Sequence, residues 1–163
     1  MKIIEYNTEF SEQVIDFILT IQRGEFGISI TAEDQPDLKN VKQFYQRRNG
    51  NFRVALDGDK VIGTIALIDI NNNEAALRKM FVAADYRGKE KGVAQQLMNS
   101  EIEWCNKKKV TAIYLGTTDK MKAAHRFYEK NGFVQIDKTL LPAAFPLMPV
   151  DNVFYKFSFN YPE

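Results

Sequence analysis

Residues 87–94 read Arg-Gly-Lys-Glu-Lys-Gly-Val-Ala and stand directly before an amphipathic segment. A glycine-containing turn from a strand into a helix leaves unpaired backbone N–H groups at the positive end of the helix dipole. Such a place binds phosphate with no basic side chain. The same residues would also serve as a plain strand-to-helix connection in which Gly88 and Gly92 only permit the turn. The stretch fits neither GxGxxG nor GxxxxGKS/T, the two common nucleotide fingerprints. His125, the only histidine, lies in a helical pattern with no Ser or Cys partner and reads as a surface or satisfied residue. Cys105 is the single cysteine, so it forms no intrachain disulfide and no Cys-based metal site. No metal is implied. Glu25, Asp34, Asp37 and Asp151 fall in loop-like stretches, where a carboxylate is ordinarily solvated.

The elements that must position these residues follow from periodicity. Lys2 to Tyr6 is a β-branched first strand. Val14, Phe17, Ile18 and Ile21 recur at helical spacing, with Thr8 or Ser11 as a cap. After the loop Gly24–Pro36, Leu38, Val41, Phe44 and Tyr45 mark one face of a second helix ending at Gly50. Phe52–Leu56 and Lys60–Ile70 flank Asp57-Gly58-Asp59, a hairpin signal, and Asn71–Asn73 turns into a strand over Ala75–Val82. A helix bearing Ala94, Leu97, Met98, Ile102 and Cys105 follows the glycine turn. Then come a short strand at Ala112–Leu115, a helix from Asp119 to near Asn131-Gly132, and two last strands, Phe133–Ile136 and Val153–Phe159. The order is β-α-α-β-β-β-α-β-α-β-β, with neither repeat nor linker: one mixed α/β domain over 1–163.

Composition narrows the function classes. The 163 residues are 45% hydrophobic and 26% charged with net charge +1, which suits a globular protein and favours neither nucleic acid nor an anionic membrane. Lys107–Lys109, the one basic run, reads as a solvated helix end. No stretch reaches the roughly 18–20 apolar residues of a membrane span, and the N-terminus lacks the apolar core of a signal peptide. A cytoplasmic location is the expectation.

The run LRKMFVAADYRGKEKGVAQQLM, then IYLGTT, then AAHRFYEKNGF, resembles the GNAT superfamily of acetyl-CoA-dependent N-acetyltransferases. The resemblance covers the acetyl-CoA half by motif, and the N-terminal third and tail by layout. It implies a GNAT-like fold, a twisted and mostly antiparallel sheet of about seven strands with helices on both faces. It also implies acetyl-CoA as co-substrate and direct transfer to an amine, with a small-molecule acceptor favoured over a peptide. The alternative is a non-catalytic acyl-CoA-binding or sensor protein. A homodimer is implied by analogy only.

The resemblance assigns residues. Arg87, Gly88, Lys89, Glu90, Lys91, Gly92, Val93 and Ala94 match the pyrophosphate loop, in which Glu90 replaces an expected glycine. Backbone donors would hold that ligand, so the Glu90 side chain could turn to solvent; whether its charge weakens coenzyme A binding is open. Met80, Phe81 and Val82 match the strand that pairs with the pantetheine arm, and the Val82 amide would polarise the thioester carbonyl. Tyr128 matches a tyrosine that protonates the departing thiolate, a role its reference pKa of about 10 permits. Without the resemblance it reads as a half-buried aromatic beside Met121 and Ala124. Met121 stands where many relatives carry an asparagine that bonds the pantetheine arm. Gly116 stands where one branch has its basic glutamate, and others have one near Ala76 and Glu74, so the general base is open. Glu25, Phe26, Phe52 and Asp151, with residues 22–38 and the Leu140–Asp151 loop, are expected to line the acceptor site.

Overall fold

The structure is a computed structural model that describes residues 1–88 and 90–162. Seven strands form one sheet: β1 Lys2–Glu5, β2 Asn51–Asp57, β3 Lys60–Asp69, β4 Glu74–Val82, β5 Ala112–Thr117, β6 Val134–Ile136 and β7 Val153–Ser158. They lie in the order β1-β2-β3-β4-β5-β7-β6. Among the described residues, only β4 and β5 pair in parallel. A parallel pair needs a crossover, and the helix α4, Val93–Lys108, supplies it. The turn from β3 to β4 places Asn71, Asn72 and Asn73 at φ 72°, 55° and 60°, a left-handed run that asparagine tolerates better than other side chains.

Each sheet face has its own core. On one face, Val93, Leu97, Met98 and Cys105 of α4 and Tyr128 of α5, Lys122–Lys130, pack on Ile65, Leu67, Leu77, Ile113 and Leu115. On the other, Val14 and Ile18 of α1, Ser11–Leu19, join Leu38, Val41 and Tyr45 over Phe52, Val54 and Ala66. Helices on both faces and a mostly antiparallel seven-stranded sheet agree with the sequence reading. The expected second helix differs. It splits at Asn40, φ −136°, into single turns α2, Pro36–Lys39, and α3, Val41–Phe44. Phe44 is left 43% exposed, so its spacing does not place it on the buried face. α1 runs on in wider turns through Thr20–Glu25, and only the last two of these residues, Gly24 and Glu25, fall in the segment read as loop.

Candidate active site

β4 and β5 part company. They pair only through Glu74–Ala76 and Ala112–Tyr114, although β4 continues to Val82 and β5 to Thr117. A bulge on β4 drives the divergence: Thr64 of β3 faces Phe81, whereas Ala66 faces Arg78. Lys79 takes φ 54° there, and the buried Thr64 hydroxyl donates to its carbonyl at 2.6 Å. Beyond the bulge the two strands enclose a wedge whose β4 wall has backbone groups with no strand opposite. Ala83 donates to Ile62 on β3, so strand alternation turns the Val82 amide toward the wedge.

Side chains reach this wedge from both faces. Tyr128 approaches on the α4–α5 side, 8% exposed and packed among Phe127, Phe133 and Tyr155. Its hydroxyl makes no hydrogen bond among the described residues. Burial, then the nearby Asp151 charge, pushes its pKa up to about 12. On the opposite face stand Ala76, Arg78, Tyr114 and Gly116, covered by the loop from β6 to β7. Arg78 is half-buried, and among the described residues its one side-chain hydrogen bond reaches the Met148 sulfur at 3.8 Å. Asp151 ends that loop, its carboxylate directly above Gly116: a β-carbon there would lie 2.5 Å from Oδ2. Burial holds the Asp151 carboxyl above the ordinary range, against the opposing Arg78 charge.

The bulge also gathers a buried polar cluster. Lys79 lies 3.5 Å from Asp37 Oδ2 and donates to Gln35 Oε1 at 2.5 Å, while Tyr45 donates to Asp37 at 2.5 Å. Burial brings the Lys79 pKa down to about 8 against the Asp37 charge. Sequence reading missed Arg78 and Lys79. The available signal was two adjacent cations inside an otherwise apolar strand, Ala-Ala-Leu-Arg-Lys-Met-Phe-Val.

At the end of the wedge, the glycine turn enters α4. Gly92 sits at φ 66° as the N-terminal cap residue, without a side-chain cap, and Gly88 sits at φ 109°. No acidic residue occupies the first turn of α4, and the N–H groups that a helix start leaves without an intrahelical partner suit an anion. Glu90 and Lys91 are exposed, whereas Val93 is buried in the core beneath. Ala94 is half-buried beside it, and Lys89 lies outside the described residues.

Three comparisons bear on this geometry. The Acetyltransferase (GNAT) family profile matches residues 15–133. A crystal structure of an acetyltransferase of the GNAT family from Staphylococcus aureus Mu50 is 42% identical, with a TM-score of 0.91, covering 96% of this chain and 98% of that one. The chain belongs to the GNAT acetyltransferase family.

Among named relatives, N-acetylaspartate synthetase of Xenopus tropicalis is 35% identical over 102 residues, 61% of this chain and 37% of that protein. The Danio rerio protein of the same name is 30% identical over 130 residues, 77% of this chain and 45% of that protein. The chain thus spans less than half the length of these two relatives.

One residue expected at the acceptor site lies in the core instead. Phe52 is 0% exposed, wedged between Tyr6 and Tyr45 with ring centroids 5.3 Å from each. It lies on β2, two strands from the wedge, and serves the core beneath α1 rather than an acceptor pocket. The Arg87 side chain turns back from the glycine turn. Its Nε donates to the Val82 carbonyl at 2.8 Å, and its two terminal nitrogens pair with Glu25 at 2.6 and 2.9 Å. Glu25 is therefore tied to Arg87, while Phe26 beside it is 43% exposed. Met80 leans on the α4–α5 core and Phe81 on the α1 core. Met121 precedes α5, its sulfur 3.8 Å from the Thr117 hydroxyl. His125 meets the Thr118 carbonyl through Nε2 at 2.8 Å.

Proposed function

We propose that this chain transfers an acetyl group from acetyl-CoA to the primary amine of a small acceptor. The observation that carries the reading is the wedge between β4 and β5, with the Val82 amide on its wall and the Tyr128 phenol at its α5 side. A pantetheine arm supplies the missing strand along β4, and the pyrophosphate meets the free N–H groups at the start of α4. The amine attacks the thioester carbonyl. The Val82 amide stabilises the charge that grows on oxygen, and Tyr128 delivers its proton to the sulfur as the C–S bond breaks. A phenol pushed up to about 12 stays protonated at neutral pH, as a proton donor must.

The acceptor in this reading carries a carboxylate. Arg78 supports it: a half-buried guanidinium with no carboxylate partner among the described residues, on the face where the acceptor enters. A guanidinium binds a carboxylate through paired hydrogen bonds. The names of the two synthetase relatives agree with an amino-acid acceptor.

Thiol release from acetyl-CoA, measured with L-aspartate, L-glutamate, glycine, spermidine and a lysine-containing peptide, tests both levels. The expected result is turnover with the carboxylate-bearing small amines ahead of spermidine and the peptide. Tyr128→Phe should lower kcat by about 100-fold or more while coenzyme A still binds, since general acids contribute roughly 10²–10⁴. The replacements at Glu90 and Met121 favour a second reading, an acyl-CoA-binding protein without turnover. Coenzyme A binding with no thiol release from any amine of the panel would establish that reading instead.

A further inference from the structure

The reaction requires a group that takes a proton from the incoming amine, and the carboxylates near the acceptor face differ sharply in their freedom. Glu25 is held by Arg87. Asp34 is exposed and turned onto the Thr31 amide and hydroxyl, both at 3.0 Å. Asp37 is committed to Tyr45 and Lys79. Glu74 stands at the closed end of the wedge, where Tyr114 donates to it at 3.1 Å. Asp151 alone of these makes no side-chain hydrogen bond or ion pair among the described residues.

The loop end that carries Asp151 is fixed in place. Its own amide donates to the Met148 carbonyl at 3.1 Å, the Asn152 amide donates to Thr117 at 2.9 Å, and the Asn152 side chain accepts from the Asp119 amide at 2.9 Å. These bonds pin the loop end to the open end of β5. There Gly116 faces the same side of the sheet as Ala112 and Tyr114, and it has no side chain. The Asp151 carboxylate fills that space: a β-carbon on Gly116 would meet Oδ2 at 2.5 Å and Cγ at 2.9 Å. The loop thus delivers a carboxylate to a position that β5 itself leaves empty.

Resting on the acetyltransferase reading, we infer that Asp151 is the general base, receiving the proton of the acceptor amine on the sheet face opposite Tyr128. Asp151 Oδ2 takes one proton from the acceptor ammonium. The freed nitrogen lone pair forms the C–N bond as the carbonyl π pair moves onto oxygen. That pair returns as the C–S bond breaks, and the thiolate takes the Tyr128 proton. Tyr128 recovers a proton from the nitrogen, which still holds one to lose, and Asp151 releases its own to water. A cavity of about 620 Å³ lined by Asp151, Asp137 and Lys138 gives that proton a route out. The groups facing Asp151 are Arg78 from β4, Tyr128 from α5, and Asp137 with Lys138 across this cavity. Arg78 lowers the Asp151 pKa, but burial outweighs it, so the acidic limb of kcat/KM lies above the ordinary carboxylate range.

The test uses the full chain and the amine of the panel above that the wild-type protein acetylates fastest. Asp151→Asn should reduce kcat/KM by about 100-fold or more and abolish the acidic limb, with coenzyme A affinity within twofold of wild type. Gly116→Ala, which forces a methyl group against Oδ2, should lower kcat without weakening coenzyme A binding. In Asp151→Ala combined with Gly116→Asp, the carboxylate returns from β5 and part of the activity returns with it. An Asp151→Asn protein that keeps most of its activity, or keeps the acidic limb, overturns this proposal alone. A wild-type protein that binds coenzyme A yet acetylates no amine overturns both this proposal and the function it rests on.

Discussion

At the scale of single residues, ionisation and exposure decide what each side chain can do. Tyr128 is buried, and its folded pKa stands at about 12 against 10.0 for a free phenol. The fold therefore holds it neutral. The associated stability is complete below pH 10 and is lost as pH rises from there through 12. Tyr128→Phe should flatten that alkaline loss in thermal melts recorded between pH 9 and 11. Glu90 presents a different case. A carboxylate in a phosphate-binding turn would repel its ligand if both shared one space, but Glu90 is exposed. Glu90→Gly should change coenzyme A affinity less than about twofold by titration calorimetry, the range expected of a screened surface charge.

At the scale of elements, the bulge in β4 makes the wedge, and Thr64 holds the bulge. Its hydroxyl satisfies the Lys79 carbonyl where the regular ladder cannot. Thr64→Val keeps the shape and removes the donor. It should cost about 1–3 kcal/mol in urea unfolding, the usual penalty for a buried carbonyl left unpaired. Much of the architecture was legible in the sequence because strand alternation, helical spacing and turn residues are local signals. The hairpin at Gly58 and the turn of three asparagines are examples. The bulge was not legible, since it depends on the register between β3 and β4, which no single segment encodes. Nor was the placement of Phe52: an aromatic in a strand reads alike under a helix or beside a ligand. The glycine turn was visible as a motif, but the reach of Arg87 back to Glu25 joins residues distant in sequence.

At the scale of the whole molecule, a buried carboxyl far from the wedge contributes to how stability varies with pH. Glu101 on α4 is fully buried, with Arg53 Nε 3.3 Å from Oε1 and the Asn51 amide beside it, yet none of the three is well aligned for a hydrogen bond. Burial pushes its pKa up to about 8, against the opposing pull of Arg53. A raised carboxyl contributes stability that is complete below its free value of 4.5 and is lost as pH rises from there through 8. Melting temperature should therefore fall across that window by more in the wild-type protein than in Glu101→Gln, measured by calorimetry in matched buffers.

The two-sided wedge also sets the traffic of the reaction. In the proposed reaction the coenzyme would lie along the α4–α5 side and the acceptor would come from the Arg78 side, so that neither passes the other. Direct transfer of this kind would need both partners present together, and the one cysteine, buried in the α4 core, is not placed to store the acetyl group between them. Initial-rate plots should intersect rather than run parallel. Coenzyme A should then compete with acetyl-CoA for its half of the channel while leaving the acceptor's doorway open.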